Sequence, residues 1–422
     1  MAANSDENID IEDLIICPRC DTIHKKTVLG HNRVAHCSEC GRILYSGEED
    51  FVKRGIALSV TGLILFVVAV SFPLVRISTL GHENYVSIVS MIEDLYGSGY
   101  IVVASIVTFV IVLFPAAIHM TFMVVGVLMS KRLAATVCRR LLSILSIMAP
   151  WNMADIFLVS ILVSVVKLTG YAQIQFGAAF WALVFFVLTD LMLGMSVKIN
   201  EMWENYGYVY GENYTKDNIS GADTTRERRF VRCKICDAVN IDAGGDTVCY
   251  RCGIRVYGDI SSSIARAWAF LLTAVILYFP ANIYPILVSH DLGGVTENTI
   301  IGGIILLYNE GSWFIAGIIL VASVFVPILK FLLLSYLLVN IHRPLGSSSR
   351  SQQHRLYYIS EIIGPWSMVD IFVVAILAGL VHVGGFEITA GPGARAFVLM
   401  VLFTLLSAYS IDTRFFRERG DR

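Results

Sequence analysis

Charged residues are scarce in this chain of 422 residues: Asp, Glu, Lys and Arg make up 16% of it, against 56% hydrophobic residues. This composition is too apolar for an ordinary soluble protein. The chain also lacks a phosphate-binding glycine loop, a nucleophile elbow and a pair of acids at the spacing of an enzyme. We therefore expect no catalytic activity and no transport driven by ATP bound to this chain. The basic residues are dispersed at the ends of apolar runs, which argues against nucleic-acid binding.

The apolar residues occur in long uncharged runs, such as 55–75, 100–130 and 267–290. About 20 apolar residues match a hydrocarbon core of ~30 Å, so each run predicts a transmembrane helix. We predict eight, at residues 54–76, 100–129, 150–168, 177–198, 265–288, 311–341, 366–384 and 395–411.

Lys and Arg are sorted to one side of these helices. The loops predicted on the other side, 77–99, 169–176, 289–310 and 385–393, contain neither residue. The positive-inside rule then predicts that both termini and both cysteine clusters are cytoplasmic. Val86 to Tyr96 and Thr299 to Tyr308 are apolar although they lie outside the predicted spans. They are expected to be short surface helices or docking points for a partner.

The same order of motifs occurs twice along the chain. Residues 150–157 read PWNMADIF and residues 365–372 read PWSMVDIF, and Pro115 recurs as Pro327. A match kept in register over this length indicates a tandem duplication. An even number of spans per copy gives both copies the same orientation in the membrane.

We therefore predict an all-α polytopic membrane protein of two tandem four-helix transmembrane modules in parallel topology, each preceded by a small β-rich zinc ribbon. The predicted units are ribbon 1 (1–50), module 1 (51–205), a linker (206–225), ribbon 2 (226–262), module 2 (263–414) and a cytoplasmic tail (415–422).

Eight of the nine cysteines form two CxxC pairs in each copy. They are Cys17, Cys20, Cys37 and Cys40, then Cys233, Cys236, Cys249 and Cys252. Two CxxC turns joined by a short hairpin are typical of a tetrahedral zinc site, so we predict two structural Zn²⁺ ions. Cys138 is isolated and is interpreted as a small apolar residue.

Three alternatives remain open for these clusters. Disulfides are disfavoured in a reducing compartment. Ligand spacing does not distinguish zinc from the iron of a redox site. The knuckles can also pair across the two copies, although we assume one site within each cluster.

Ionisable residues inside the predicted spans are the best candidates for function, because they are costly in a bilayer. Asp155 and Asp370 occupy the same place in the two motifs, and each can instead serve the N-terminus of its helix. Lys330 lies in the sixth predicted span at a depth similar to Asp370. We predict an ion-coupling or gating pair there, with Ser323, Ser367 and Thr404 as neighbouring hydroxyls; a structural pair is the alternative.

Lys330 has no counterpart in the first copy, where the matching residue is Ile118 and His119 follows it. Five prolines within the predicted spans are expected to kink their helices, namely Pro73, Pro115, Pro280, Pro285 and Pro327.

Paired four-cysteine ribbons, four spans in each copy and PWxMxDIF in both halves resemble the paraquat-inducible protein A family over nearly the whole chain. The resemblance implies a Gram-negative inner-membrane protein, with modules similar to tetraspanin-type folds. It also implies a periplasmic partner with MCE domains that forms a tunnel for lipids, and phospholipids as cargo. The polar network proposed for that family falls here on Ser323, Lys330, Ser367, Asp370 and Thr404. An acidic residue after Lys167 in some relatives is replaced by Gly170, which weakens any part of that network in the first half.

The leading hypothesis is a lipid-transport subunit that loads or unloads the tunnel protein, coupled to protons through Lys330 and Asp370. The alternatives are a membrane redox protein that uses the cysteine sites, and an anchor for the tunnel protein that does not itself transport.

Overall fold

The computed structural model describes residues 14–46 (except 19, 21, 28, 31 and 32), 51–211 (except 80, 81 and 169–172), 230–256 (except 242–246), 260–340 (except 292, 293, 310 and 312), the isolated positions 356, 359, 364 and 366, and 368–411 (except 381, 384 and 385). At some of these positions only the backbone is described.

The first repeat begins with two hairpins and continues as helices. The strands are β1 (Leu14–Ile16), β2 (Ile23–Lys25), β3 (Val34–His36), β4 (Ile43–Ser46), β5 (Val75–Thr79), β6 (His82–Val86) and β7 (Gln173–Phe176). The helices are α1 (Phe51–Ser71), α2 (Ile88–Gly97), α3 (Ile101–Val107), α4 (Phe114–Ser130), α5 (Ala135–Met148), α6 (Ala154–Leu168), α7 (Ala178–Ser196) and α8 (Ile199–Tyr210).

The second repeat follows the same order. Its strands are β8 (Phe230–Arg232), β9 (Val239–Ile241), β10 (Thr247–Val248), β11 (Arg255–Val256), β12 (Leu287–Asp291), β13 (Gly294–Asn298), β14 (His382–Val383) and β15 (Phe386–Ala390). Its helices are α9 (Ile260–Ile283), α10 (Ile300–Asn309), α11 (Trp313–Leu320), α12 (Val326–Asn340), α13 (Val369–Leu380) and α14 (Pro392–Ser410).

Seven helices within the described ranges are long and apolar enough to cross a membrane. They are Phe51–Ser71, Ile101–Ser130, Ala135–Val165, Ala178–Ser196, Ser262–Ile283, Ser323–Asn340 and Pro392–Ser410. The predicted span 366–384 includes α13, of which 12 residues are described as one continuous helix, fewer than the about 20 that match a hydrocarbon core of ~30 Å. The predicted four-helix arrangement of each module therefore stays a prediction.

Each module departs from regular α-helical geometry at the same place. A π-helical stretch, Thr108–Leu113, joins α3 to α4, and Val321–Phe325 joins α11 to α12. Pro115 and Pro327 follow these stretches directly, and a proline within a helix leaves a backbone carbonyl without its usual donor. Pro280 lies inside α9. Pro73 and Pro285 lie beyond the ends of α1 and α9, so these two do not kink a helix.

A small antiparallel sheet closes the end of each module away from the cysteine clusters, in segments that we predicted to be loops. The strand orders are β6-β5-β7 and β13-β12-β15-β14. β5 follows α1 and pairs with β7, which precedes α7; β12 and β15 join α9 to α14 in the same way. The helix pairs α1/α7 and α9/α14 are therefore clamped at this end. The predicted surface helices are present as α2 and α10.

The two modules meet through copies of the repeated motif. Phe157 of α6 and Phe372 of α13 occupy the same motif position, and their ring centroids lie 5.8 Å apart, edge to face. Ser160 Oγ donates a hydrogen bond to the Val369 carbonyl at 3.2 Å. Met153 and Met368 are both buried in the apolar core that the modules share.

Candidate functional site

Each cysteine cluster is built from two hairpins whose turns carry CxxC. In the first cluster the Cys37 amide donates to the Arg42 carbonyl at 2.8 Å, and the Gly41 amide donates back to Cys37 at 3.0 Å. Gly41 has φ +69°, and Gly253 in the second cluster has φ +75°. Both glycines adopt the left-handed conformation that a side chain makes costly.

The four sulfurs in each cluster lie within 4.8 Å of one another, so the described structure forms one site per cluster rather than sites shared between repeats. Cys17 and Cys40 Sγ are 3.5 Å apart, and Cys233 and Cys252 Sγ are 3.6 Å apart. These separations are far longer than a disulfide of about 2.05 Å. They are close to the S···S edge of about 3.8 Å expected for a tetrahedron with Zn–S bonds of about 2.3 Å. The disulfide alternative is thus not what the structure contains, and both donor sets fit a four-coordinate metal.

Hydrogen bonds lower the pKa of some thiols, namely Cys37, Cys233 and Cys249, and so favour the thiolate that binds a metal, whereas the pKa is raised at Cys20, Cys236 and Cys252. Burial raises the pKa of the Cys37 thiol, but hydrogen bonds from the Cys40 and Glu39 amides outweigh burial and lower it to about 6. In the second cluster, hydrogen bonds from the neighbouring thiols lower the pKa of Cys249. His24 Nε2 lies 3.2 Å from Cys37 Sγ, and Asn240 Nδ2 donates to Cys249 Sγ at 3.6 Å. Four thiolates close the coordination shell, so such a site stabilises the fold and leaves no position for a substrate.

The second ribbon rests on the first module. Cys233, Cys236, Cys249 and Cys252 belong to one buried cluster with Cys138 of α5 and Trp203 of α8. A methyl group built on Gly253 would lie 3.6 Å from Arg139 Cζ of α5. Trp203 Nε1 donates to Ser146 Oγ at 3.0 Å, which fixes α8 on α5. Cys138 is fully buried in this contact, in keeping with its predicted role as a small apolar residue.

The first ribbon packs on the same helix α8. Lys26 Nζ forms an ion pair with Glu204 Oε1 at 2.7 Å. Residues of both ribbons and of α8 line a narrow cleft, among them Tyr45, Glu201 and Tyr250. The two metal-type sites are therefore neighbours on one end of the molecule.

In the second module, Lys330 lies in α12 with 1% of its side chain exposed. Its Nζ donates to the Gly364 carbonyl at 3.4 Å, just ahead of α13. Ser323 and Thr404 are also buried, and Thr404 Oγ1 donates to the Met400 carbonyl of its own helix at 2.6 Å. Ser323 lies within the π-helical stretch that precedes α12.

Asp370 is the second residue of α13, and only its backbone is described; Ser367 lies outside the described residues. The predicted Lys330–Asp370 pair therefore stays a prediction. Asp155 is exposed near the start of α6, and its Oδ1 accepts a hydrogen bond from the Ile156 amide at 2.9 Å. This bond is to the amide of the next residue and is not an N-cap contact. Asp155 lies in the first turn of α6, where a carboxylate is favourable beside the positive end of the helix dipole.

The first module contains a polar cluster that the sequence reasoning missed. His119 of α4 is fully buried, and its Nε2 lies 3.2 Å from Asp190 Oδ1 of α7. Asn152 Nδ2 donates to the other carboxylate oxygen, Asp190 Oδ2, at 2.8 Å. The available signal was a single acid, Asp190, in the otherwise uncharged run 178–196.

This cluster occupies the place that Lys330 and Thr404 occupy in the second module. Gly177 caps α7 and Gly391 caps α14, and Asp190 and Thr404 each lie 13 residues after the cap. Asn152 matches Ser367 within the repeated motif. The first half thus has its own ionisable centre, with His119 beside the position that matches Lys330.

Fold and sites together define a multi-pass helical membrane protein made by tandem duplication, with one four-cysteine metal-type site in each copy and ionisable residues inside its helices.

Comparison with known proteins places the chain within a family. The family model described as "Paraquat-inducible protein A" matches residues 52–207 and 264–419. The chain belongs to the paraquat-inducible protein A family, as the resemblance predicted. No solved structure matches it.

Three relatives match the chain nearly from end to end. "Intermembrane transport protein PqiA" of Escherichia coli (strain K12) is 30% identical over 408 residues, which are 96% of this chain and 95% of that protein. "Probable intermembrane transport protein" of Haemophilus influenzae is 28% identical over 418 residues, 97% of each chain. "Lipophilic envelope-spanning tunnel protein A" of E. coli (strain K12) is 28% identical over 400 residues, 94% of this chain and 90% of that protein.

Proposed function

We propose that this chain is the inner-membrane subunit of a system that moves lipid between membranes, loading or unloading a separate tunnel-forming protein with MCE domains. The observation that carries the proposal is its match, over 96% of its length, to a relative named for intermembrane transport. The proposed role is transport rather than catalysis, and phospholipid is the proposed cargo. The distribution of Lys and Arg supports an orientation with both termini and both ribbons in the cytoplasm.

Lys330 is the proposed centre of coupling. An ammonium group buried to 1% exposure in a membrane helix is costly, and such groups usually mark an ion or substrate pathway. Gly364 supplies one carbonyl acceptor at 3.4 Å, and Asp370 follows six residues later on α13. Protonation of Asp370 would release an ion pair with Lys330 and loosen the packing of α12 against α13. Ser323, Ser367 and Thr404 complete the proposed network.

Both four-cysteine sites are proposed to hold structural Zn²⁺. The ribbons that carry them pack on α8, and the second also packs on α5, at the end of the molecule assigned to the cytoplasm. Their thiolates form closed shells away from the polar residues within the helices. This separation favours a structural role over electron relay.

The decisive experiment replaces Lys330 with Met, which keeps the length of the side chain and removes its charge. The readouts are lipid exchange and envelope integrity in a strain lacking the chain, and copurification with an MCE-domain protein from the same genome. We expect Lys330→Met to insert and to bind the partner but to lose transport. The exposed Lys131 at the end of α4 provides the matched control, and Lys131→Met should retain transport.

Full transport by Lys330→Met would exclude the coupling role and leave the anchor hypothesis. Failure of the chain to bind any MCE-domain protein would exclude the proposed partner. Iron in place of zinc in the purified protein would favour the redox alternative.

A further inference from the structure

The polar cluster of the first module leaves buried polar atoms without hydrogen-bond partners. Asp190 accepts from Asn152 through Oδ2 and contacts His119 Nε2 through Oδ1. His119 Nδ1, on the opposite side of the ring, has no hydrogen-bond partner among the described atoms, nor does Ser59 Oγ. Both side chains are fully buried. Such atoms are rare in native structures, and each requires an explanation.

The carboxylate determines which imidazole nitrogen carries hydrogen. An ionised Asp190 can only accept, so His119 Nε2 donates to it. Nδ1 of the neutral ring is then a lone pair with no donor. It faces α1 closely, since a methyl group built on Gly62 would lie 2.6 Å from it. Ser59 is on the same helix, one turn before Gly62.

The charges around the imidazole favour a cation on the ring. Asp190 of α7 is in contact with it, and Asp155 of α6 adds a second carboxylate that repels Asp190. α1 contributes Lys53 and Arg54 only at its start, about 12 Å or more along the helix from Gly62. Phe186 of α7 packs on the ring, with centroids 5.1 Å apart, and excludes water from that side. The Asp190 carboxylate and one neutral ring within apolar helices leave negative charge that a proton on His119 would offset.

We propose that His119, Asp190 and Asn152 form a proton-binding site in the first module, in which His119 Nδ1 takes up the proton and Asp190 holds the resulting imidazolium. The proton comes from the aqueous phase, and no other bond forms or breaks. Asn152 positions Asp190, and Ser59 Oγ is a buried hydroxyl on α1 without a described hydrogen-bond partner. The site goes beyond the proposed function, because it requires neither a lipid nor a partner.

The test is nitrogen NMR of the full-length protein, labelled with ¹⁵N-histidine and reconstituted in lipid nanodiscs, between pH 5 and 8.5. We expect one buried imidazole to pass from the Nε2–H tautomer to the doubly protonated form as the pH falls, and to be missing in His119→Gln. In Asp190→Asn the midpoint of that titration should move to lower pH by about one unit or more, because the ring loses its carboxylate. Thr189→Val is the matched control, since that hydroxyl bonds only to the Phe185 carbonyl of its own helix. It should leave the midpoint unchanged.

An imidazole that keeps one protonation state across this range, or titrates identically in Asp190→Asn, would overturn the proposal and leave a structural hydrogen bond. A signal that responds to Na⁺ at constant pH, but not to pH, would overturn it in favour of a metal cation. If His119→Gln does not fold, the wild-type titration and its shift in Asp190→Asn still decide. The histidine titration is measured without a lipid-transport assay. A failure of the proposed transport function therefore does not refute the proton-binding site, and the reverse also holds.

Discussion

Replacing Gly62 with alanine tests the close packing of α1 on α4. A Cβ atom at this position would lie 2.5 Å from His119 Cε1 and 2.6 Å from Nδ1. Carbon atoms pack at about 3.5–4.0 Å, so the ring or the helix must move by roughly 1 Å. A displaced ring would lose a hydrogen bond to an ionised group, worth about 1.5–3 kcal/mol. A displaced helix would incur the cost of overpacking, about 1–3 kcal/mol.

Gly194 of α7 provides the control, because a Cβ there would contact nothing within 4 Å. Alanine improves helix propensity by up to about 1 kcal/mol at either position, so that gain largely cancels between the two variants. Gly62→Ala should therefore be less stable than Gly194→Ala by about 1–3 kcal/mol. The measurement is the unfolding free energy of the purified chain in detergent.

A double variant separates the clash with His119 from any other effect of the extra methyl group. Adding His119→Ala removes the ring that the methyl group meets, so Gly62→Ala should then cost less than about 0.5 kcal/mol, a strongly non-additive result. Equal stability of Gly62→Ala and Gly194→Ala would refute the packing described here. An undiminished cost in the double variant would show that the methyl group meets something other than His119.

Three further predictions concern the metal sites, the closed ends of the modules and the ribbon contact. Elemental analysis of the purified chain should find two zinc ions, and Cys37→Ser or Cys249→Ser should each leave about one; unchanged metal content would contradict one site per cluster. Gly177→Ala and Gly391→Ala should both lower the free energy of unfolding by about 1–3 kcal/mol, because their Cβ atoms would lie 2.2 and 2.1 Å from a proline carbonyl oxygen. If either variant is as stable as the wild type, the two modules are not closed in the same way. Trp203→Ala should cost about 3–5 kcal/mol and expose ribbon 2 to proteolysis, since the indole is fully buried; unchanged proteolysis would refute the docking of that ribbon.

The features predictable from the sequence were those set by local spacing and by repetition. The CxxC turns specify a site within about 25 residues, so both metal-type centres were predicted. The apolar runs located the long helices, although Ala135–Val165 begins 15 residues before the predicted span 150–168. The duplication placed Phe157 and Phe372 at matching positions, although their contact with each other was not predicted.

The features missed depend on contacts between distant segments. β5 and β7 pair across about a hundred residues, so no local alternation identifies them as one sheet. α5 lies between two predicted spans and was not predicted, because its apolar face packs against α4 and α8 only in the fold. Asp190 was overlooked because one acid in an apolar run gains meaning only when His119 and Asn152 are brought to it.

The docking of ribbon 2 on α5 and α8 affects how the chain is made. That ribbon belongs by sequence to the second repeat, yet the surface that it covers belongs to the first. During synthesis, module 1 therefore remains uncovered on this side until residue 256 has left the ribosome. A chain divided between residues 211 and 230 would separate ribbon 2 from the surface that it covers, so the two copies are not equivalent halves.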